Sequence, residues 1–465
     1  MSDDGRAAYW CELAWLGGER AEAGEAVETE GERFAIVEPG HEQPPTGARR
    51  LDGLTLPGLA NAHSHAFHRA LRGRTESGHG SFWTWREAMY DVAAALDPDT
   101  YEALARATFA EMALAGITAV GEFHYLHHEP DGTPYADPNE IGRRLVAAAS
   151  EAGIRITLID ACYLHGGFGE PLEPRQRRFG DGDAERWAER VDMLGDLGPG
   201  ARTGAAIHSV RAVDPDAAAA VASWTRERGL PLHAHVSEQP AENRACRAAH
   251  GIGPTELLAG AGALDERFTA VHLTHVGDDE LRLLGEGGCR CCLCPTTERD
   301  LADGVGRAAQ IAAAGIRLAL GSDSHAVIDH FEEMRATELD QRLATGERGH
   351  HGAAALLGAA TEGGHSSIGW PEAGRIEPGA VADLVTVGLD SVRLAGVGEA
   401  NALEAVVFGA SAADVRSVVA SGRLVVDGGR HVGMDVAGEL RGAIAAVGGA
   451  LADSDEKAPD EGPEP

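Results

Sequence analysis

LPGLANAHSH, residues 56–65, is an apolar run that ends in two histidines one residue apart, and a third, His68, follows shortly after. Its near-continuous apolar character suits a strand buried on both faces, as in a parallel sheet. Seven more runs of this kind follow: ITAVGEFHYL (117–126), IRITLIDACYL (154–164), ARTGAAIHSV (201–210), LPLHAHVSE (230–238), FTAVHLTHV (268–276), CRCCLCPTT (289–297) and IRLALGSDS (316–324). The segments between them carry helical spacing, as in TYEALARATFAEMALAG (100–116) and DAAAAVASWTRERG (216–229). Gly116, Gly153, Gly229 and Gly315 stand where helices should end, just before a strand. Eight strand–helix units in this order predict a (β/α)8 barrel of the TIM type, with a doubly wound sheet as the alternative.

The flanks read differently. ERFAIVEPG near the start, and GAVADLVTVGLD and VRSVVASGRLVVDGGRHV after the barrel, are short alternating strands separated by Gly and Pro turns. They predict one small β-sandwich domain built from both chain ends, with residues 1–55 and 371–445 around a barrel of residues 56–370. The acidic, proline-containing tail, 446–465, is expected to be disordered.

Composition narrows the function classes. The chain has 465 residues, 43 % of them hydrophobic, enough for a large domain plus a smaller one. Its formal charge of −33, from 73 acidic against 40 basic residues, opposes binding to nucleic acid or to an anionic membrane surface. Lys457, in the tail, is the only lysine. A P-loop lysine, a Schiff base and a carbamylated lysine bridging two metals are therefore excluded. The start, MSDDGRAAYWCELAW, lacks a basic region followed by an apolar core, and no run approaches the ~18 apolar residues of a membrane span, so the expected location is the cytoplasm. Seven cysteines fit reduced thiols better than a disulfide framework. CRCCLC (289–294) suggests a zinc site at first sight. In one extended strand, however, Cys289 and Cys291 face one side and Cys292 and Cys294 the other, so four sulfurs cannot wrap one ion. The run is read as buried small hydrophobes.

In such a barrel the reactive groups stand at the C-terminal ends of the strands. The histidines fall there: His63 and His65 on strand one, His124 and Tyr125 on strand two, His208 and Arg211 on strand four, His235 and Glu238 on strand five, His272 and His275 on strand six, and Asp323 and His325 after strand eight. Burying so many imidazoles and carboxylates round one mouth costs roughly 1–3 kcal/mol per unpaired group. A divalent metal compensates, and three neutral imidazoles plus one carboxylate make a suitable ligand set.

HSHAFHR, FWTWREAMY, HSVRAV, HVSEQ, CPTTERDLADG and GSDSH resemble motifs of the amidohydrolase superfamily and, within it, of the formimidoylglutamate deiminases. The resemblance extends from the start of the chain to about residue 440. It implies hydrolysis of N-formimidoyl-L-glutamate to N-formyl-L-glutamate and ammonia, a step of histidine degradation. The metal ligands implied are His63, His65, His235 and Asp323, holding one divalent ion, with zinc the usual one. Zinc lowers the pKa of bound water toward ~7 and so supplies a nucleophile. Glu238 is expected to shuttle a proton to the leaving nitrogen, His272 to polarise the attacked group, and Asp323 to accept the proton of water. The substrate is a dicarboxylate, which a chain of this charge repels unless local arginines bind it as bidentate forks. Arg86 and Arg211 stand at positions the family uses for this, and Tyr125 and His208 match other substrate contacts. His68 replaces a glutamine of the family pattern (HSHAFQR), and its charge is expected to vary with pH. A homodimer is the superfamily analogy.

Two other readings are open. One is a deaminase of a heterocycle such as guanine or S-adenosylhomocysteine, which Trp83 and Trp85 could stack against. The other is a non-catalytic metal-binding barrel, against which stands the complete set His63, His65, His235, Glu238, His272 and Asp323.

Overall fold

The structure, a computed structural model, describes residues 5–76 and 79–457. Eight parallel strands form one sheet in chain order: Leu59–Ser64, Ile117–His124, Arg155–Cys162, Ala201–Ser209, Leu232–Val236, Phe268–His272, Arg290–Leu293 and Arg317–Leu320. Ile117–His124 and Arg155–Cys162 are buried at every position, which is why they read as unbroken apolar runs rather than alternating ones. The first and last strands meet beyond the end of the eighth: the Asp323 amide donates to the His63 carbonyl at 3.0 Å, and the His65 amide to the Asp323 carbonyl at 3.3 Å. The barrel is thus closed by the main chain of three expected metal ligands.

Helices follow the strands as the spacing predicts. Pro98–Leu114 starts at Asp97, whose carboxylate accepts from the Thr100 amide at 2.8 Å, and Pro215–Arg228 starts at Asp214, which caps two amides. Gly153 and Gly229 end their helices in the left-handed conformation, at φ 78° and 65°.

Both chain ends build the second sheet, of eight strands. The join is the antiparallel pairing of Arg49–Pro57 with Leu384–Val387. This sheet closes on its own core, which includes Tyr9, Val27, Phe34, Leu51, Leu384 and Val419. The expected boundary at residue 55 falls inside the strand Arg49–Pro57, and the chain passes to the barrel at Gly58. A Cβ there would lie 2.2 Å from Thr118 Oγ1 and 2.6 Å from Asp383 Cβ, so only glycine lets the two domains approach so closely. Asp383 is the anchor: its carboxylate takes Arg155 as a bidentate fork, with contacts of 2.5 and 2.9 Å, and accepts from Thr118 Oγ1 at 2.9 Å.

The expected disordered stretch is corrected in part. A helix spans Val436–Lys457, with Val436, Ala443 and Val447 buried at helical spacing. The prolines of the tail come after this helix, and residues 458–465 lie outside the described residues. No helix among the described residues is long and apolar enough to cross a membrane.

Candidate active site

The strand tips converge as expected. A ring nitrogen from each of His63, His65 and His235, and a carboxylate oxygen of Asp323, lie within 4.8 Å of one another, and all four residues are buried. His63 Nε2 stands 3.0 Å from His235 Nε2 and 3.3 Å from Asp323 Oδ1, and His65 Nε2 stands 3.4 Å from the same oxygen. His65 and His235 donate Nδ1–H to the carbonyls of Phe123 (3.0 Å) and His208 (2.9 Å), leaving Nε2 lone pairs directed at the common centre. Burial, then repulsion from His63, pushes both imidazoles well below their ordinary pKa, so both are neutral, as ligands must be. Three imidazoles and a carboxylate packed this closely fit a divalent metal ion.

Local irregularities aim these side chains. The pairing register shifts between Asn61 and Ser64 on strand one and between Ile207 and Ser209 on strand four, which releases His208 from the ladder. His272 and Asp323 hold left-handed backbone, at φ 74° and 41°, a strained geometry that non-glycine residues keep where the surroundings enforce it.

Glu238, His272 and Asp323 form one group. His272 Nε2 lies 3.7 Å from Glu238 Oε1 and 3.8 Å from Asp323 Oδ2, and its Nδ1 lies 3.5 Å from Glu298 Oε1. Burial works against charge on His272, but these carboxylates outweigh it and hold the imidazole protonated well above its usual range. Burial, reinforced by the neighbouring carboxylates and opposed by His272 and Arg211, raises the pKa of Glu238.

The remaining candidates line the same cavity: His68, Arg86, Tyr125, His208 and Arg211, with Trp85 and Phe179 as apolar wall. Arg86 donates from Nε to Tyr90 Oη at 2.6 Å, and Arg211 lies between Glu238 (3.9 Å) and Glu242 (3.7 Å). His68 Nε2 is 3.1 Å from Tyr125 Oη. Contrary to expectation, the charge of His68 does not vary over the physiological range, because burial and His65 hold its pKa well below the ordinary value. Trp83 is 44 % exposed and lies outside this cavity.

Three strand-tip histidines turn elsewhere. His124 joins His127 and Asp160 in a second buried group, where Arg190 donates to both Asp160 oxygens at 2.7 and 2.8 Å and so takes the place of a cation. His275 bonds the Asp303 carbonyl at 2.7 Å, and His325 bonds Ser64 and Ser322. Sequence reading missed Glu122, Glu298 and Tyr163, the last of which lines the cavity beside Arg86 and His208. Glu122 braces the ligand loop, accepting from Ala66 N at 2.7 Å and from Ser64 Oγ at 2.5 Å, and burial pushes its carboxyl up to about 8. The charge within an otherwise apolar strand two was the available signal for Glu122. Glu298 lies in TTERDLADG, a motif noted without assigning its carboxylates.

The profile of the amidohydrolase family matches residues 54–425, from the end of the joining strand into the second sheet. The chain belongs to the amidohydrolase family. Among relatives of this amidohydrolase, formimidoylglutamate deiminase of Pseudomonas aeruginosa is 40 % identical over 86 % of this chain and 90 % of that protein. The 5-methylthioadenosine/S-adenosylhomocysteine deaminase of Natronomonas pharaonis is 30 % identical, covering 82 % of this chain and 84 % of its own. The crystal structure of an amidohydrolase from Brucella melitensis superposes with a TM-score of 0.85 at 34 % identity, over 96 % of this chain and 99 % of that one.

Proposed function

We propose that this amidohydrolase converts N-formimidoyl-L-glutamate and water to N-formyl-L-glutamate and ammonia. The observation that carries the reading is the presence of two guanidinium groups, Arg86 and Arg211, in the cavity that holds the ligand tetrad and Glu238. In a chain of charge −33, such placement selects an anionic ligand against the global field. The 40 % identity to a formimidoylglutamate deiminase over most of both chains supports the same substrate.

A divalent cation held by His63, His65, His235 and Asp323, with zinc the favoured ion, would polarise water and supply a nucleophile near neutrality. The chain's own groups do the rest. Arg86 and Arg211 take the carboxylates and set the formimidoyl carbon toward the tetrad. His272, protonated between its carboxylates, donates a hydrogen bond to the group under attack. Asp323 takes the proton that water loses on adding to that carbon. Glu238 carries to the amidine nitrogen the two protons it needs, the one that water gave to Asp323 and the one that the added hydroxyl loses as its oxygen becomes the formyl carbonyl, and ammonia leaves as the carbon–nitrogen bond breaks. Trp85 and Phe179 exclude bulk water from the cavity wall.

The aromatic wall and the adenosine-type relative favour a heterocycle deaminase as second reading. Ammonia release from N-formimidoyl-L-glutamate, N-formimidoyl-L-aspartate, guanine and S-adenosylhomocysteine, before and after chelation, separates the two. Turnover of a purine alone would overturn the proposal, and turnover unaffected by complete chelation would overturn the role of the tetrad.

A further inference from the structure

The cysteine run leaves one thiol beside the reaction centre. Cys294 Sγ, a ring nitrogen of His272 and a carboxylate oxygen of Asp323 lie within 4.8 Å of one another, all in buried residues. Cys289, Cys291 and Cys292, equally buried, are not part of this group. Asp323 serves both groups with different oxygens: Oδ1 faces His63 and His65 at 3.3 and 3.4 Å, and Oδ2 faces His272 at 3.8 Å. The two oxygens thus face different histidines. The carboxylates of Glu238, Glu298 and Asp323 surround the His272 ring at 3.5 to 3.8 Å, and Arg211 lies 3.9 Å from Glu238. Burial raises the Cys294 thiol well above its ordinary pKa, so thiol and imidazolium both give up a proton when a cation binds; the thiolate, imidazole and carboxylate then make a donor set suited to zinc or a softer divalent ion.

We propose that Cys294, His272 and Asp323 form a second, inhibitory site for a thiophilic divalent cation, bridged to the tetrad through Asp323. Occupation withdraws His272 and Asp323 from proton transfer, so turnover stops while the tetrad keeps its ion. The inhibition rests on the proposed reaction only in requiring those two groups to be free. The binding itself does not depend on which substrate is turned over.

The test is a cadmium titration of protein carrying one equivalent of zinc, following the ultraviolet cadmium–thiolate charge-transfer band, zinc content and ammonia release together. Wild type and Cys289→Ser, whose thiol lies away from Cys294, should develop the band with one bound cadmium and lose activity in step, with zinc retained. Cys294→Ser and Cys294→Ala should develop no such band at the same concentration, bind the second ion more weakly by roughly 10- to 100-fold or more, and keep their activity. Absence of the band in wild type, its persistence with inhibition in both Cys294 variants, its loss in Cys289→Ser, or release of zinc in step with inhibition would each overturn the site. If N-formimidoyl-L-glutamate is not turned over, band and stoichiometry still report on the thiol, so the two readings fail separately.

Discussion

His63 and Asp323 are joined twice: His63 Nε2 lies 3.3 Å from Asp323 Oδ1, and the Asp323 amide donates to the His63 carbonyl at 3.0 Å. The same two residues therefore close the barrel with their main chain and shape the ligand tetrad with their side chains. Fold and chemistry share one seam, and ion binding should stabilise the closed barrel.

Removal of the ion should abolish ammonia release and lower the melting temperature, and zinc should restore both. Binding to the folded state alone adds about 2.7 kcal/mol at a ligand concentration 100 times Kd. Calorimetry of chelated and zinc-loaded protein checks this, and equal melting temperatures would separate the tetrad from barrel closure.

Glu238→Gln keeps the shape of the side chain and loses the movable proton. The variant should retain its metal and fall about 10²–10⁴-fold in kcat. Metal analysis alongside steady-state rates checks this, and turnover near wild type would move proton transfer to another group.

Arg211→Ala should lower kcat/KM for the dicarboxylate by about 1.5–3 kcal/mol, the scale of a hydrogen bond to a charged group. The loss should shrink for a substrate whose carboxylate is amidated. Arg86→Ala, assayed with the same pair of substrates, shows which carboxylate each guanidinium takes.

Glu122 carries a pH prediction. Its carboxyl, raised from 4.5 to about 8 by burial, stays protonated in the folded state while the unfolded chain ionises. Its contribution is fully present below about pH 4.5 and is lost as pH rises through about 8, at up to about 1.4 kcal/mol per pH unit. In Glu122→Gln that component should vanish. Urea unfolding of both proteins at several pH values checks this: their stability difference should shift toward the variant from pH 5 to 8, and a constant difference would show Glu122 to be ionised when folded.

Asp383→Ala leaves Arg155 buried without its partner at the junction of the two domains. About 3–5 kcal/mol of stability should be lost, with kcat unchanged, because the pair lies apart from the cavity lining. Denaturant unfolding and initial rates on the same preparation check both halves, and a fall in kcat at full metal occupancy would show that the domain junction sets the geometry of the site.

The eight strands and the histidines at their tips were legible because each is carried by short, local signals: apolar runs buried on both faces, and histidines at i, i+2 that a strand must place on one side; the choice of four ligands among those tips came from the family resemblance. The four cysteines of CRCCLC are all buried, as the apolar run predicts. Neighbourhood across strands was not legible. Nothing near position 294 says that its thiol meets His272 and Asp323, and nothing in HSHAFHR says that His68 is buried enough to stay neutral.

By itself the sequence determined the barrel, the second sheet from both ends, the ligand types and the excess of negative charge against which two arginines had to work. Only the tertiary structure decided which strand-tip histidines face the centre, that His124 turns to the Asp160–Arg190 pair instead, and that Glu122 stands behind the ligand loop. The reason is physical. Alternation along one strand follows from covalent geometry, but bulges, barrel closure and burial depend on neighbours hundreds of residues away, and those set both the aim of a side chain and its charge.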